Sequence, residues 1–506
     1  MKPYIDIPDS SGMKCLHDAL TIEGDRASHV VLRNITEDFW RKVIEATKLH
    51  RICAMGSPGV GKTTTTGILI RLLLEQKKTI VYRVRRLNKD GFVYMFTPAS
   101  DASGEVDVKV IEEKDFMYWD KHVNNESVYY IVDPGQTKDN CNLDENFKGN
   151  VIIVASLDEG HWGGTGFHKG RGGKIGTFLY YPAWSLPELI SSSSFFDVHV
   201  TEHQIVSRFG RFGGVPRIVF STESDYYVYE EAQNRALEEL TAASAISLAY
   251  TTRSAIKRQT EDLPRGILLS YVLADQDNHT FTKGYAKFSS DYVYEYIVDR
   301  YMYYLWERIV PNEGSFDPYL FETYCAKLFY DAVQPSKKSF PVKYSEEPLT
   351  AEVTDITLVQ CTKKEKVENI VAAAKRREHC VFTPISKVNK LIDFMYRDGN
   401  TYYAFQSTIA GRHDASPRLI YEFVLGVINE NKIGAMDLMP RIMIFYAIPM
   451  FRFDKFKTKP AKANAKAREY CKKMMGENSV LYTQWNDLVV IRFLRVDAPK
   501  EPVVSL

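Results

Sequence analysis

Arg51-Ile52-Cys53-Ala54-Met55-Gly56-Ser57-Pro58-Gly59-Val60-Gly61-Lys62-Thr63-Thr64 is the stretch on which the reading of the fold turns. A short apolar run, Arg51 to Met55, enters a loop rich in glycine. The residues that follow, Thr64 to Gln76, place Ile68, Leu69, Leu72 and Leu73 on one helical face. Gly56 to Thr63 has the spacing G-x-x-x-x-G-K-[ST], set between a strand and a helix, where that spacing has a mechanism. Glycines at 56, 59 and 61 let the backbone curl so that N–H groups point inward at a phosphate. The helix opening near Lys62 turns its positive dipole end to the same anion. In this reading Gly56, Ser57, Pro58, Gly59, Val60, Gly61, Lys62, Thr63 and Thr64 form the nucleotide-binding set. Lys62 reaches the β- and γ-phosphates, and the Thr63 hydroxyl ligates Mg²⁺. The expected ligand is ATP or GTP with Mg²⁺, and the loop itself does not tell a hydrolase from a small-molecule kinase.

Such a site needs an acid to hold the metal at the end of a buried strand. Tyr129-Tyr130-Ile131-Val132-Asp133 supplies one, with Asp133 as the metal-holding carboxylate. The run Val151 to Ser156 ends where Ser156 can touch the γ-phosphate or the attacking water, and Asp158 and Glu159 stand nearby to orient that water. Ordinary loop polarity accounts for these three residues equally well. Further strands are expected at Thr79–Val84, Gly91–Phe96 and Ser127–Val132, which makes an α/β fold with a parallel sheet. Ahead of the loop, Phe39, Val43, Ile44 and Leu49 predict a helix capped by Thr36 or Asp38. Residues 160–176 read as a glycine-rich basic loop, and residues 232–253 and 291–310 as helical.

At 506 residues the chain is too long for one ordinary core and suggests two to four domains. Hydrophobic residues at 45% and charged residues at 25% place it among globular chains. A net charge of +1 leaves no global field to draw the molecule onto nucleic acid or an anionic membrane, so any such attraction is local. Cys15, Cys53, Cys141, Cys325, Cys361, Cys380 and Cys471 include no CxxC pair, which fits a reducing compartment. No run of apolar residues is long enough to span a bilayer, and the N-terminus lacks a secretory signal, so no membrane partner is expected.

Downstream come Tyr181-Pro182-Ala183-Trp184-Ser185-Leu186-Pro187-Glu188-Leu189 and Arg208-Phe209-Gly210-Arg211-Phe212-Gly213-Gly214-Val215-Pro216-Arg217. With the glycine loop and the strand ends at Asp133 and Ser156, this order resembles the Crinkler effectors of oomycetes and fungi. It is equally similar to the retrotransposon hot spot proteins of trypanosomes. The resemblance covers roughly residues 45–300 well and the remainder more loosely. It implies an NTPase module followed by a restriction-endonuclease-like module. No LFLAK-like targeting motif is found, so a delivered effector, a relative lacking that motif and a hot spot protein all stand as readings. The arginine-rich segment suits a nucleotide sensor: Arg208, Arg211 or Arg217 can approach the γ-phosphate in a closed state or from a neighbouring subunit and neutralise charge in the transition state. Each arginine is as readily a structural anchor.

Restriction-type nucleases hold Mg²⁺ with two acids and position the attacking water with a lysine, on a short sheet against a helix. Here Ile392 to Tyr396, a turn at Arg397-Asp398-Gly399-Asn400, and Tyr402 to Ile409 predict a hairpin. It would set Asp393, the expected metal ligand, close to Gln406, while Glu322 resembles the acid of a preceding helix. Gln406 replaces the second acid and Thr408 stands where lysine is expected, so metal binding should be weak. Lys387, Lys390 or Arg412 could substitute for the lysine. A basic stretch from Lys455 to Lys473 reads either as a nucleic-acid or nuclear-import patch or as a solvated helix face. The tyrosines of residues 291–304 read as packing groups in preference to base-stacking ones.

The expected organisation is a lead over residues 1–45, a P-loop NTPase core of AAA+/STAND-like type over 46–225, a helical lid over 226–310, and a restriction-endonuclease-like α/β domain over 311–506. The expected partners are a nucleoside triphosphate and DNA, with self-association plausible. The expected location is inside the cell, in the nucleus, which is a host nucleus if the chain is a delivered effector.

Overall fold

Strands too apolar to leave either face in water dictate the first sheet. The computed structural model describes residues 4–6, 14–17, 29–84, 92–99, 106–112, 125–134, 148–155, 167, 175–196, 198–251, 268–273, 281–282, 284–309, 320–325, 328, 342–343, 355–359, 380–384, 393–398, 400–407, 417–430, 440–449, 460–477 and 479–496. The chain divides into two units, Met1–Tyr296 and Ile297–Leu506.

The first unit begins with a small antiparallel sheet of β1 (Tyr4–Asp6), β2 (Lys14–His17) and β3 (His29–Leu32). Helix α1 (Asn34–Ala46) follows, burying Phe39, Trp40, Val43 and Ile44 at helical spacing. Arg33 takes the N-cap position, so neither Thr36 nor Asp38 caps this helix. Leu49 lies past the helix end and is 71% exposed, so it is no part of the expected apolar face. Next come β4 (His50–Met55), α2 (Lys62–Glu75), β5 (Ile80–Val84), β6 (Phe92–Pro98), β7 (Val106–Glu112), β8 (Tyr129–Asp133), β9 (Asn150–Ala155) and β10 (Ile175–Tyr180). The last seven strands form one sheet in the order β10-β4-β9-β8-β5-β6-β7. From β10 to β5 every pairing is parallel, and β6 and β7 add antiparallel strands at one end. The molecule is thus α/β with a mostly parallel central sheet.

Strands β8 and β9 are buried at every position, as an apolar run covered on both faces must be. The chain leaves β4 through the glycine loop and α2 and returns to the sheet at β5, beyond β9 and β8, whereas β10 lies on the opposite side of β4. Connections diverging in this way open a crevice beyond the carboxyl ends of the strands, where ligands of open α/β sheets bind. Short helices follow at Leu186–Ser192, Glu202–Phe212, Pro216–Val219, Glu223–Glu238 and Ala242–Thr251. A hairpin of β11 (Leu269–Leu273) and β12 (Gly284–Phe288) interrupts the segment expected to form a helical lid. The helix Asp291–Ile309 buries Tyr294 and Tyr301, the packing role expected of its tyrosines.

The second unit holds a sheet of β13 (Val342–Lys343), β14 (Asp355–Val359), β15 (Cys380–Pro384), β16 (Phe394–Asp398), β17 (Thr401–Ser407), β18 (Arg441–Pro449) and β19 (Val489–Val496). Their order is β13-β19-β18-β17-β16-β15-β14. Antiparallel pairing joins β15 to β16 and β16 to β17, and parallel pairing joins β17 to β18 and β18 to β19. The helices Pro417–Glu430 and Pro460–Met475 supply Ile420, Val424, Val427 and Cys471 to a core that also contains Ile444 and Trp485. Among the described residues no helix is long and apolar enough to cross a membrane.

Candidate functional site

At the carboxyl end of β4 the loop turns on Gly59 (φ +79°) and Gly61 (φ +97°), conformations that side-chain-bearing residues rarely adopt. Gly61 is also the N-cap of α2, with no side-chain capping bond, so the first amides of that helix are left for another acceptor. Gly56, Ser57 and Val60 are buried, while Pro58 and Thr64 are exposed. Lys62, the first helical residue, donates from Nζ to Gly56 O at 2.7 Å and Ser57 O at 2.9 Å. Burial pushes this ammonium down to about 8, opposed by Asp133 and Cys53 and reinforced by the positive charge of Arg217. Thr63 Oγ1 donates to Asp133 Oδ2 at 2.6 Å across 70 residues of sequence. Loop, helix start and the end of β8 therefore meet as the spacing predicts.

A second layer braces the loop from the chain beyond β10. The Trp184 indole N–H donates to Val60 O at 3.0 Å. A Cβ on Gly56 would stand 2.5 Å from Tyr181 O, and one on Gly214 would stand 1.7 Å from Trp184 O. A Cβ on Gly59 would meet Val215 at 2.9 Å and Arg217 at 3.0 Å. Both sequence pieces that carry the family resemblance thus converge on one turn of backbone. The start of Leu186–Ser192 is fixed by a capping box between Ser185 and Glu188. Glu188 in turn takes a two-pronged ion pair from Arg33, at 2.9 and 3.1 Å, and Arg33 also donates to Pro182 O and Ala183 O. Trp40 of α1 donates to Thr65 of α2 at 3.2 Å.

The three arginines expected to sense nucleotide separate clearly. Arg208 is buried, donating to Val219 O at 2.9 Å, Ser221 O at 2.8 Å and Glu223 at 2.6 Å, with its guanidinium 4.4 Å from the Tyr226 ring centroid. Arg211 donates to Asn234 at 2.6 Å, pairs with Glu230 at 3.2 Å and lies 4.3 Å from the Tyr292 ring centroid. Both groups tie helices together here, the anchoring role that the sequence offered beside the sensor role. Arg217 is exposed, its side chain stands against Gly59, and its charge is felt at Lys62. Among the described residues no carboxylate pairs with it.

In the second unit the expected hairpin is present as β16 and β17. Its register pairs Phe394 with Phe405, which carried one step further sets Asp393 opposite Gln406. Asp393 N–H donates to Phe405 O at 2.8 Å, and Asp393 Oδ2 accepts from the Ser407 amide. Burial pushes the Asp393 carboxyl up to about 7, against the lowering effect of its bonds with Ser407. Residues 320–325 are helical and bring up Glu322 and Cys325. Burial raises the Cys325 thiol well above its ordinary value, the bond with Ser407 opposes this, and the charges of Asp393 and Glu322 add to it. Glu322, Cys325, Asp393 and Ser407 therefore form one cluster, with Gln406 buried beside it. Among the described residues no group of three or more His, Cys, Asp and Glu side chains is arranged to hold a metal ion.

Comparison of the chain with protein-family models, curated proteins and solved structures finds no match.

Ser156, Asp158, Glu159, Lys387, Lys390, Thr408 and Arg412 lie outside the described residues, as do residues 455–459 of the basic stretch. Within that stretch Lys462, Lys466 and Lys473 are exposed, Lys472 pairs with Glu477 at 2.7 Å, and Arg468 stands 4.5 Å from the Tyr482 ring centroid. Sequence reasoning gave no role to Arg33 or Trp40. It noted the segment around Trp184 without seeing that it supports the loop. The S-x-x-E spacing of Ser185 and Glu188 was the available signal for a helix start there.

Removing Arg33 takes the ion pair from the half-buried Glu188 carboxylate, leaving it only its bonds from Ser185, and takes the donor from two carbonyls. Arg33→Ala should destabilise the first unit by about 3–5 kcal/mol in denaturant unfolding. Asp393 binds its proton more tightly in the native chain than in the unfolded one. Its contribution to stability is therefore complete below the unfolded value near 3.8 and is lost as pH rises toward about 7. Unfolding of the second unit followed across that window should show this decline, and Asp393→Asn should flatten it.

Proposed function

We propose that the first unit is a P-loop nucleoside triphosphatase of AAA+/STAND-like type, binding ATP or GTP at residues 56–64. The Thr63–Asp133 hydrogen bond of 2.6 Å is the observation that carries this reading. It joins the hydroxyl and the carboxylate that would hold Mg²⁺ in such a site. The strand order, with the loop leaving an interior parallel strand, supports it as well. The charge balance fits a phosphate: Lys62 and Arg217 repel each other across the loop, and Asp133 is the carboxylate whose pull is felt at Lys62. An anion between the two cations would relieve that repulsion.

When bound, Mg²⁺ would neutralise phosphate charge beside Thr63 and Asp133. The chain's own groups do the rest. Lys62 holds its ammonium over the loop, α2 turns its uncapped amides to the same place, and Arg217 stands against Gly59 from the turn after Gly213-Gly214. These donors favour the state in which phosphate carries the most charge.

The second unit is, in this reading, a restriction-endonuclease-like module that engages DNA under the control of the nucleotide state. Its antiparallel β15-β16-β17 followed by parallel β18, with Glu322 and Asp393 in one cluster, is the supporting arrangement. One observation favours a catalytically inert form acting as a nucleotide-switched scaffold. Burial pushes Asp393 up to about 7, which weakens it as a metal ligand below that pH, and it faces Gln406 where a second acid would serve metal binding. An arginine acting in trans carries the further expectation of self-association, and the basic stretch from Lys455 to Lys473 that of a nuclear location.

Lys62→Ala should abolish ATP and GTP hydrolysis, and Arg217→Ala should lower kcat by about a hundredfold; turnover unchanged in the lysine variant rules the reading out. Arg208→Ala, by contrast, should act chiefly through stability. Hydrolysis measured with and without double-stranded DNA tests the link to the second unit, and plasmid nicking that Asp393→Ala abolishes would eliminate the inert form. Phosphate beside Lys62 must raise its proton affinity from about 8, so nucleotide binding near that pH takes up a proton. Calorimetric titrations in buffers of different ionisation enthalpy should record it.

A further inference from the structure

The outer strand of the seven-stranded sheet in the first unit sets a row of exposed valines beside its charges. Among the described residues β7 has β6 on one side and no strand on the other. Edge strands are ordinarily protected by charges, proline or short length, because their free N–H and C=O groups invite another strand. Here Val106, Val108 and Val110 share one face and are 36%, 49% and 54% exposed. They stand beside Pro98, Phe96 and Tyr94 of β6, so the apolar row continues onto the sheet. On the opposite face Asp107 and Lys109 are both exposed, and among the described residues neither has an ion-pair partner.

We propose that β7 is a self-association edge, pairing antiparallel with β7 of a second copy of this chain about a two-fold axis through Val108. The sequence Val106-Asp107-Val108-Lys109-Val110 is complementary to its own reverse. Centred on Val108, the pairing sets Asp107 of each copy opposite Lys109 of the other. Val106 then faces Val110 twice, and Val108 faces itself. Within Val106–Val110 every opposed pair is apolar with apolar or acid with base, the combinations that stabilise antiparallel strands. Centring on Asp107 or Lys109 opposes like charges, and a one-residue slip sets charges against valines. A two-fold contact of this kind closes on itself and yields a dimer, not a fibre.

The test is a charge exchange read by sedimentation velocity over a concentration series, with far-UV circular dichroism verifying the fold of each variant. The wild-type chain should dimerise as its concentration rises. Asp107→Lys alone and Lys109→Asp alone each convert both ion pairs to like-charge pairs and should weaken dimerisation by about tenfold or more. The double variant Asp107→Lys/Lys109→Asp restores both pairs in reversed sense and should regain the wild-type behaviour. Val108→Cys, opposed to itself at the axis, should form a covalent dimer on mild oxidation that the parent chain does not form under the same conditions. A wild-type chain that stays monomeric throughout the series overturns the proposal. So does a folded double variant no better associated than the singles, which would point to a different partner on this edge. All these readings are independent of nucleotide binding, so they stand or fall apart from the activity of the loop.

Discussion

A backbone loop that presents amides to an anion must turn its carbonyls elsewhere, and each of those carbonyls needs a donor. The indole of Trp184 meets that demand at Val60. The peptide joining Val60 to Gly61 is planar and trans, so pinning the carbonyl of one fixes the direction of the other's N–H, opposite to Trp184. Lys62 provides donors for Gly56 and Ser57 from within. The orientation of the loop is thus maintained by one side chain of its own and one from beyond β10, and much of the first unit can be understood as support for those few donors.

That support is layered. Trp184 is held because Gly214 admits its backbone at a distance no Cβ would allow. The segment carrying Trp184 is held by Arg33, which binds two of its carbonyls and the Glu188 carboxylate. A charged group this deep costs much desolvation, so its contribution depends on every donor finding an acceptor. The indole of Trp40 adds a link between the two helices that flank β4. Most of these contacts join residues far apart in sequence, and the loop inherits its rigidity from all of them.

The glycine loop, Thr63, Asp133 and the hairpin of Asp393 were legible in the sequence because each depends on local chemistry: glycine conformations, a strand end, a turn. The sorting of the arginines was not. Arg208, Arg211 and Arg217 look alike in sequence, and what separates them is whether carbonyls such as Val219 and Ser221 lie within reach after folding. Arg33 was invisible for the same reason, since its partners are about 150 residues away. Strand β7 also escaped notice, although the alternation of valine with charge over Val106–Val110 is itself a strand signal. Leu49 misled in the opposite way, continuing an apolar rhythm past the point where Thr47 closes the helix.

The proton on Lys62 has a chemical corollary. An ammonium brought to about 8 is, near neutral pH, a free amine roughly a tenth of the time, far more often than an ordinary lysine. A neutral amine is a nucleophile, and this one sits over the loop proposed to hold phosphate. Small electrophiles that carry a phosphate, aldehydes and acyl donors among them, should therefore modify Lys62 more readily than a lysine of ordinary proton affinity at the same depth. Any triphosphate occupying the crevice would shield it.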